Sequence, residues 1–565
     1  MTYRVAMAIS GAVSLGSYEA GCVYELLNAF KEHNANPQNT PIEIDVLTGA
    51  SAGGMTAAMI AQKLLYDKDA LDGEESNVGY EAWVKSVDID GLLMAFEGDN
   101  AKTSLLSNGF IKDIANKLIL NRYAATPAPL ERDPHTASAE FIRLGLAMSN
   151  LNGVDYNVQV FSYETESLAQ DTFTQTRHQD RFTEVLGWHS DTFSHWENIT
   201  TASRACGAFP LAFSPIRMTR QWQHDDYKAR DAVKFEENEF CFVDGGTFNN
   251  YPLGMAVDLA KMNDTENTDY KRRFYFYVSP TKRESTANPT FNSDTSNLLE
   301  IAAQLGTSIF TQSGFQEWLI QAKNNALIIR LDEQAITLRD EYYLLSQESI
   351  AAEQAIITPL ILQTFSGNNG DESYENAFAR LAEQYAEDVK DKPLSPDAFK
   401  LWIDTIAVLE KSAELGLKDL KTIYTISADE DRLVGDLLQS FLGFFDEKFR
   451  HYDYQRGRLN AMHVINGILS GENTSEKGVK QLIPGEHLPL NISARDTSTL
   501  DAYFANSTLN KISVKDVDKP TRDRVFKRVK SRYYLIAKDS GLGWIIRTAL
   551  WNFVVKQKVR KALYL

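Results

Sequence analysis

Two strand–turn–helix units follow one another within the first 65 residues, and few folds can begin that way. Tyr3 to Ile9 reads as a short buried strand rich in Val, Ile and Ala, and it runs into the loop Ser10-Gly11-Ala12-Val13-Ser14-Leu15-Gly16. Ser17 to Lys31 then has helical periodicity, with Val23, Leu26, Leu27 and Phe30 on one stripe. After the turn-rich connector Asn34 to Pro41 come a second strand, Ile42 to Leu47, a tight turn, Thr48 to Gly53, and a second helix, Met55 to Leu65. A β-α-β-α opening implies a parallel sheet covered by helices on both faces.

Further strands are expected at Phe141 to Met148, Tyr156 to Tyr163, Phe240 to Val243, Phe274 to Val278 and Ala326 to Leu331. Tyr123 to Thr136, with Pro127, Pro129 and Pro134, reads as a loop. Beyond about Asp340 the strand signals stop. Glu341 to Lys390 and Phe399 to Leu469 read as helical, separated by the breaker from Lys390 to Pro396, and residues 471 to 520 are loop-rich. At 565 residues the chain is too long for one compact domain. The expected division is an α/β domain over residues 1–340 and a mainly helical region over 341–565.

The formal net charge of −18 argues against binding nucleic acid through its backbone. From Lys519 onward, however, 13 Lys and Arg face only Asp523 and Asp539, a net of +11 that leaves −29 on the rest. This basic, aromatic-containing tail is a candidate contact for anionic lipid or an acidic partner, or else a solvated helix pair packed on the acidic body. Cys22, Cys206 and Cys241 form neither a disulfide framework nor a metal-ligand spacing, so no metal or cofactor is expected and a reducing compartment is the simpler inference. MTYRVAMAIS lacks the marks of a secretory signal, and no run of about 18 apolar residues occurs. The expected location is cytoplasmic, with peripheral membrane contact.

The strongest chemical signal is Thr48-Gly49-Ala50-Ser51-Ala52-Gly53-Gly54, a G-x-S-x-G between a strand and a helix. A sharp strand-to-helix turn forces the serine into strained backbone geometry and lifts its hydroxyl above the sheet, and only small residues two before and two after avoid a clash. The second signal is Phe242-Val243-Asp244-Gly245-Gly246-Thr247-Phe248-Asn249-Asn250-Tyr251-Pro252. An aspartate that ends a strand faces the rim where ligands bind in an open α/β sheet. Alone it would read as a turn residue bonding its own backbone. Paired with Ser51, it becomes a candidate base.

Together these residues resemble the patatin-like phospholipases, whose marks are a Gly-rich N-terminal oxyanion loop, G-x-S-x-G, and D-G-G or D-G-A. Here the marks fall on Gly11 to Gly16, Gly49 to Gly53 and Asp244 to Gly246. Ala202-Ser203-Arg204-Ala205-Cys206-Gly207-Ala208-Phe209-Pro210, ending Phe213-Ser214-Pro215, looks like the region that precedes the aspartate in that family, and Asn249 to Pro252 continue the likeness. The resemblance covers about residues 1 to 280. It implies a patatin-like catalytic domain over 1–340 that cleaves lipid or fatty-acyl esters with Ser51 as nucleophile and Asp244 as base. It also implies an oxyanion hole at Gly11, Ala12 and Val13, and a nucleophile elbow held by Gly49 and Gly53. The loop departs from the family's usual G-G-G-x-[RK]-G: Leu15 occupies the place of the cation, and Ala12 and Val13 stand where glycines are usual. Bacterial patatin-related proteins with long C-terminal extensions look similar at this loop. The stretch from Phe444 to Ala461 resembles part of those extensions and reads as a helix packed against the catalytic domain.

Three rival readings fit the sequence less well. A Ser-His-Asp hydrolase normally places its nucleophile after several strands and its histidine last, whereas His451, His463 and His487 lie in the extension. Nucleotide binding through Gly11 to Gly21 fails at the middle glycine of G-x-G-x-x-G. An inactive lipid-binding scaffold would have no need to keep both Ser51 and Asp244. An apolar rim of Phe242, Phe248 and Tyr251 is expected to raise the Asp244 pKa.

Overall fold

The computed structural model describes residues 1–96, 99, 102–120, 129–164, 167–187, 191–228, 230–248, 252–266, 269–280, 330–365, 373–412, 422–428, 433–437, 442–471, 487–509 and 512–564. The chain divides into two compact units, Met1–Trp318 with Thr422–Gln481 and Gly485–Leu565, and Leu319–Lys421 with Leu482–Pro484. The division is therefore not a single cut near residue 340, because everything from Thr422 onward apart from Leu482–Pro484 groups with the N-terminal part.

The first unit is built on one sheet of eight strands: β1 (Thr2–Ile9), β2 (Ile42–Gly49), β3 (Ser138–Glu164), β4 (Ser167–Leu186), β5 (Ile216–Arg220), β6 (Asn238–Asp244), β7 (Tyr270–Ser279) and β8 (Thr422–Ser427). Their order is β5-β6-β3-β2-β1-β7-β8, with β4 paired to β3 off that path. β3, β2, β1, β7 and β8 run parallel, while the pairs β3–β4, β3–β6 and β5–β6 are antiparallel. Val5 to Ile9 of the central strand are fully buried, as a parallel strand covered on both faces must be.

α1 (Gly16–Asn34), α2 (Ser51–Tyr66), α3 (Phe193–Cys206) and α4 (Leu253–Glu266) pack on this sheet. The expected stripe of α1, Val23, Leu26, Leu27 and Phe30, is buried, but so are Gly21, Cys22 and Glu25. The reason is α5 (Glu447–Ser470), which lies against α1. The two helices approach so closely that a Cβ on Gly21 would fall 2.1 Å from the Tyr454 carbonyl oxygen, and one on Gly457 would fall 2.0 Å from that of Tyr18. α5 buries charge as well as apolar surface. Arg458 pairs with Glu25 at 2.7 Å, Arg450 donates to the carbonyls of Val84 (2.9 Å) and Phe444 (3.0 Å), and Asp453 accepts from the N–H groups of Val434 and Gly435. The expectation that the stretch from Phe444 to Ala461 forms a helix packed against the N-terminal part is met from Glu447 onward.

Several strand expectations need correcting. Phe141 to Met148 and Tyr156 to Tyr163 belong to the single strand β3, because its register slips between Ser149 and Val154, where Gly153 has a φ of 77°. β8, Thr-Ile-Tyr-Thr-Ile-Ser, lies in a region read as helical; parallel pairing to β7 decides its conformation. Of Ala326 to Leu331, residues 326–329 lie outside the described residues, and 330–331 open a helix.

The second unit is helical where described: residues 330–343, Gln347–Phe365, Tyr374–Gln384 and Pro396–Ser412. Leu381, Tyr385, Trp402, Ile403 and Ile406 form its core, and the Trp402 indole donates to the Ala335 carbonyl at 2.7 Å.

The basic tail forms α6 (Lys519–Asp539) and shorter helical turns from Trp544 to Ala562. Arg532 of α6 is buried and donates to the carbonyls of Leu105 and Leu106, and Arg524 and Arg528 pair with Asp90. Trp551 is buried among Phe526, Tyr533 and Tyr534.

Candidate active site

β2 ends at Gly49 and α2 begins at Ser51, so strand becomes helix across Ala50 alone. Ser51 has a φ of 51°, in the left-handed region that costs a residue with a Cβ about 1–3 kcal/mol. Glycines make the turn sterically feasible. A Cβ on Gly49 would sit 2.4 Å from the Gly53 backbone, and one on Gly53 would sit 2.2 Å from the Ser10 carbonyl oxygen. The Ala50 N–H donates to the Ile9 carbonyl at 3.2 Å, which ties the turn to the end of β1.

The Ser51 hydroxyl donates to Asp244 Oδ2 at 2.6 Å. Asp244 is the last residue of β6, and every polar atom of it is engaged. Its N–H donates to the Ala208 carbonyl (2.9 Å), its own carbonyl accepts from the Ser149 hydroxyl (2.8 Å), and Oδ1 accepts from the Gly246 N–H (2.7 Å). Gly245 must be glycine for a steric reason, since a Cβ there would lie 2.1 Å from the Ala147 carbonyl oxygen. Burial pushes the Asp244 carboxyl up to about 7, outweighing the hydrogen bonds from Ser51 and Gly246, which pull it down.

Of the aromatic rim expected around Asp244, two members are described. Phe242 is in the core, Phe248 is 45% exposed and stacked on His178 at 6.2 Å, and Tyr251, like Asn249 and Asn250, lies outside the described residues. Asp244 itself is fully buried, with Met148 opposite it in the β3 register and the Ala208 carbonyl accepting from its N–H. The Cys206 thiol packs beneath the turn, 3.8 Å from the Gly49 carbonyl. Among the described residues no histidine hydrogen-bonds Ser51 or Asp244, and His451 is engaged by the Tyr80 hydroxyl at 2.9 Å.

Gly11 and Ala12 are irregular, and Val13–Leu15 make one 3-10 turn before α1. Ala12 has a φ of −141°, outside the positive-φ region that would demand glycine. Among the described residues nothing accepts a hydrogen bond from the N–H of Gly11 or Ala12. Leu15, where the resemblance would lead one to expect a cation, is buried, and a Cβ on Gly435 would lie 2.5 Å from its Cδ2. The segments around Gly435 and Gly443 pack directly on Ser14 and Leu15, so the far C-terminal part of the chain supports this loop.

Ser51 lines a pocket. Met55 and Met59 of α2, Trp83, Ile111, Phe209 and Phe444 give it apolar walls. Sequence reading missed most of these wall residues. Asn108–Ala115 is a helix that places Ile111, Ile114 and Ala115 on one stripe, a spacing visible in the sequence. Phe444 comes from a distant segment and carried no local signal.

A family model described as patatin-like phospholipase matches residues 7–257, the stretch that holds the loop after β1, the Ser51 turn and Asp244. A search of curated proteins gives no match.

Proposed function

With residues 7–257 a patatin-like domain, from a family of lipid acyl hydrolases, we propose that this protein cleaves lipid acyl esters through a Ser51–Asp244 dyad. The observation that carries the reading is the 2.6 Å hydrogen bond from a serine at positive φ to a buried carboxylate whose pKa is held near 7. Ser51 Oγ attacks the acyl carbonyl carbon while Asp244 Oδ2 takes its proton and then passes it to the departing alkoxide. Water attacks the resulting acyl-enzyme with Asp244 again as base. The N–H groups of Gly11, Ala12 and Val13 receive the oxyanion, each such donor contributing about 3–4 kcal/mol in serine hydrolases. The apolar pocket takes the acyl chain.

Fluorophosphonate should label the intact protein at Ser51, with a rate that rises with pH. The sign follows from the role of Asp244. Below about 7 its carboxyl is protonated and cannot accept the serine proton, so the rate falls about tenfold per pH unit, and above about 7 it levels off. Label on a different residue, or a rate that ignores pH across this range, would defeat the reading.

Substrate delivery involves the tail. Among the described residues no helix is long and apolar enough to cross a membrane. Trp544 and Ile545 are 68% and 74% exposed, Ile546, Leu550 and Val554 are exposed with them, and Lys558, Arg560 and Lys561 are exposed nearby. Apolar and cationic groups side by side suit the surface of an anionic bilayer. Arg524, Arg528 and Arg532 are already committed to the body, so the tail's charge is only partly available. Co-sedimentation with anionic vesicles should be strong at low salt, weak at high salt and weak with neutral lipid. Gln at Lys556, Lys558, Arg560 and Lys561 should remove the salt-sensitive part, and Trp544→Ser with Ile545→Ser should weaken the remainder. If both variants sediment like the parent protein, this face is not the contact.

A further inference from the structure

Two helical segments wall the Ser51 pocket lengthwise. α2 contributes Ser51, Met55 and Met59, and the helix Asn108–Ala115, with the wide turn Asn116–Leu120 that continues it, contributes Ile111, Ala115 and Ile119. A spacing of four keeps each series on one face of its helix. Both series sink in the same direction: Met55, Ile111 and Ala115 are half-buried, whereas Met59 and Ile119 are buried. Trp83 closes one side, its indole donating to the Thr56 hydroxyl at 2.9 Å. Beyond Met59 the fully buried Gln62 donates to the Ile119 carbonyl at 2.6 Å, which ties the two walls together. The slot therefore opens toward Ser51 and, among the described residues, ends on Met59 and Ile119. Its length follows from the helix. Met59 stands eight positions after Ser51, a rise of about 12 Å at about 1.5 Å per residue. An extended alkyl chain, with carbon–carbon bonds of about 1.5 Å, advances about 1.25 Å per carbon, so the slot takes about ten carbons.

We propose that Met59 and Ile119 form a floor that limits the acyl chain, so that the preferred substrates are medium-chain acyl esters of about ten carbons. The proposal rests on reading Ser51 as the nucleophile of an acyl hydrolase. Each methylene that the walls take out of water raises kcat/KM about fourfold. At the floor the gain stops, because a further carbon must displace buried side chains packed at interior density or fold back toward water.

The test measures kcat/KM of the full chain on p-nitrophenyl esters from butanoyl to tetradecanoyl, each below its micelle concentration. The value should climb steeply to about decanoyl and fall beyond it. Met59→Ala and Ile119→Ala lower the floor, and each should move the maximum about two carbons longer. Met55→Trp fills the slot half-way along and should move the maximum shorter. Shifts in opposite directions separate a floor from a general loosening of the fold, which would lower every ester alike. A value that keeps rising through tetradecanoyl, or a maximum that none of the three variants moves, would overturn the proposal. The hydrolase reading fails separately, as absent turnover of every ester in the series. This proposal fails as turnover without a chain-length maximum.

Discussion

Ser51→Ala and Asp244→Asn should each lower ester hydrolysis by about four orders of magnitude, and the double variant should fall little further. The non-additivity follows from geometry. Oδ1 of Asp244 is held by the Gly246 N–H and Oδ2 by the Ser51 hydroxyl. An asparagine in the same place keeps its oxygen toward Gly246 and turns an NH₂ toward Ser51. The serine then faces a donor, and its proton has no acceptor. Once that acceptor is gone, removing the nucleophile changes little. Asp244→Asn should also abolish the pH limb near 7. Steady-state hydrolysis of a soluble ester by purified full-length variants measures both effects. An Asp244→Asn protein within tenfold of the parent would show that another group accepts the proton.

Gly457→Ala should destabilise the protein by about 3 kcal/mol, the upper part of the range for overpacking. The added methyl would lie 2.0 Å from the Tyr18 carbonyl oxygen and 3.2 Å from the Cys22 nitrogen, both backbone atoms that cannot rotate away. Relief requires α1 and α5 to separate, which stretches the Cys22 thiol contact to the Gly457 carbonyl and the Arg458–Glu25 pair. Gly543→Ala is the control for adding a methyl without a clash: no atom would lie within 4 Å of its Cβ, so it should cost only the exchange of glycine for alanine at a helix N-cap, about 1 kcal/mol or less. Urea unfolding compares the two. A Gly457→Ala midpoint equal to the control's would mean that the crossing tolerates a side chain.

How far the sequence could be read depended on how local each signal was. β1, α1, β2 and α2 were legible because an apolar run and a helical stripe are set by neighbours a few residues apart. Ser51 and Asp244 were legible for the same reason, each lying in a short run of small residues that only a tight turn requires. What stayed hidden depends on partners far along the chain. β8 is a strand because β7 offers a free edge, and α5 hides its arginines against residues more than 350 positions away. The burial of Asp244 was foreseen, although Phe248, one of the aromatic residues expected to shield it, is exposed.

The glycine-to-backbone contact between α1 and α5 also bears on when the site can exist during synthesis. The Ser51 turn is translated early, yet the faces that support the neighbouring loop, around Gly435 and Gly443, and the helix that covers α1 arrive some 400 residues later. Until then α1 must leave an apolar flank uncovered and the loop at Ser14 unsupported. A nascent chain stopped after the matched region 7–257 would lack both the segments that pack on Ser14 and Leu15 and the helix that packs on α1.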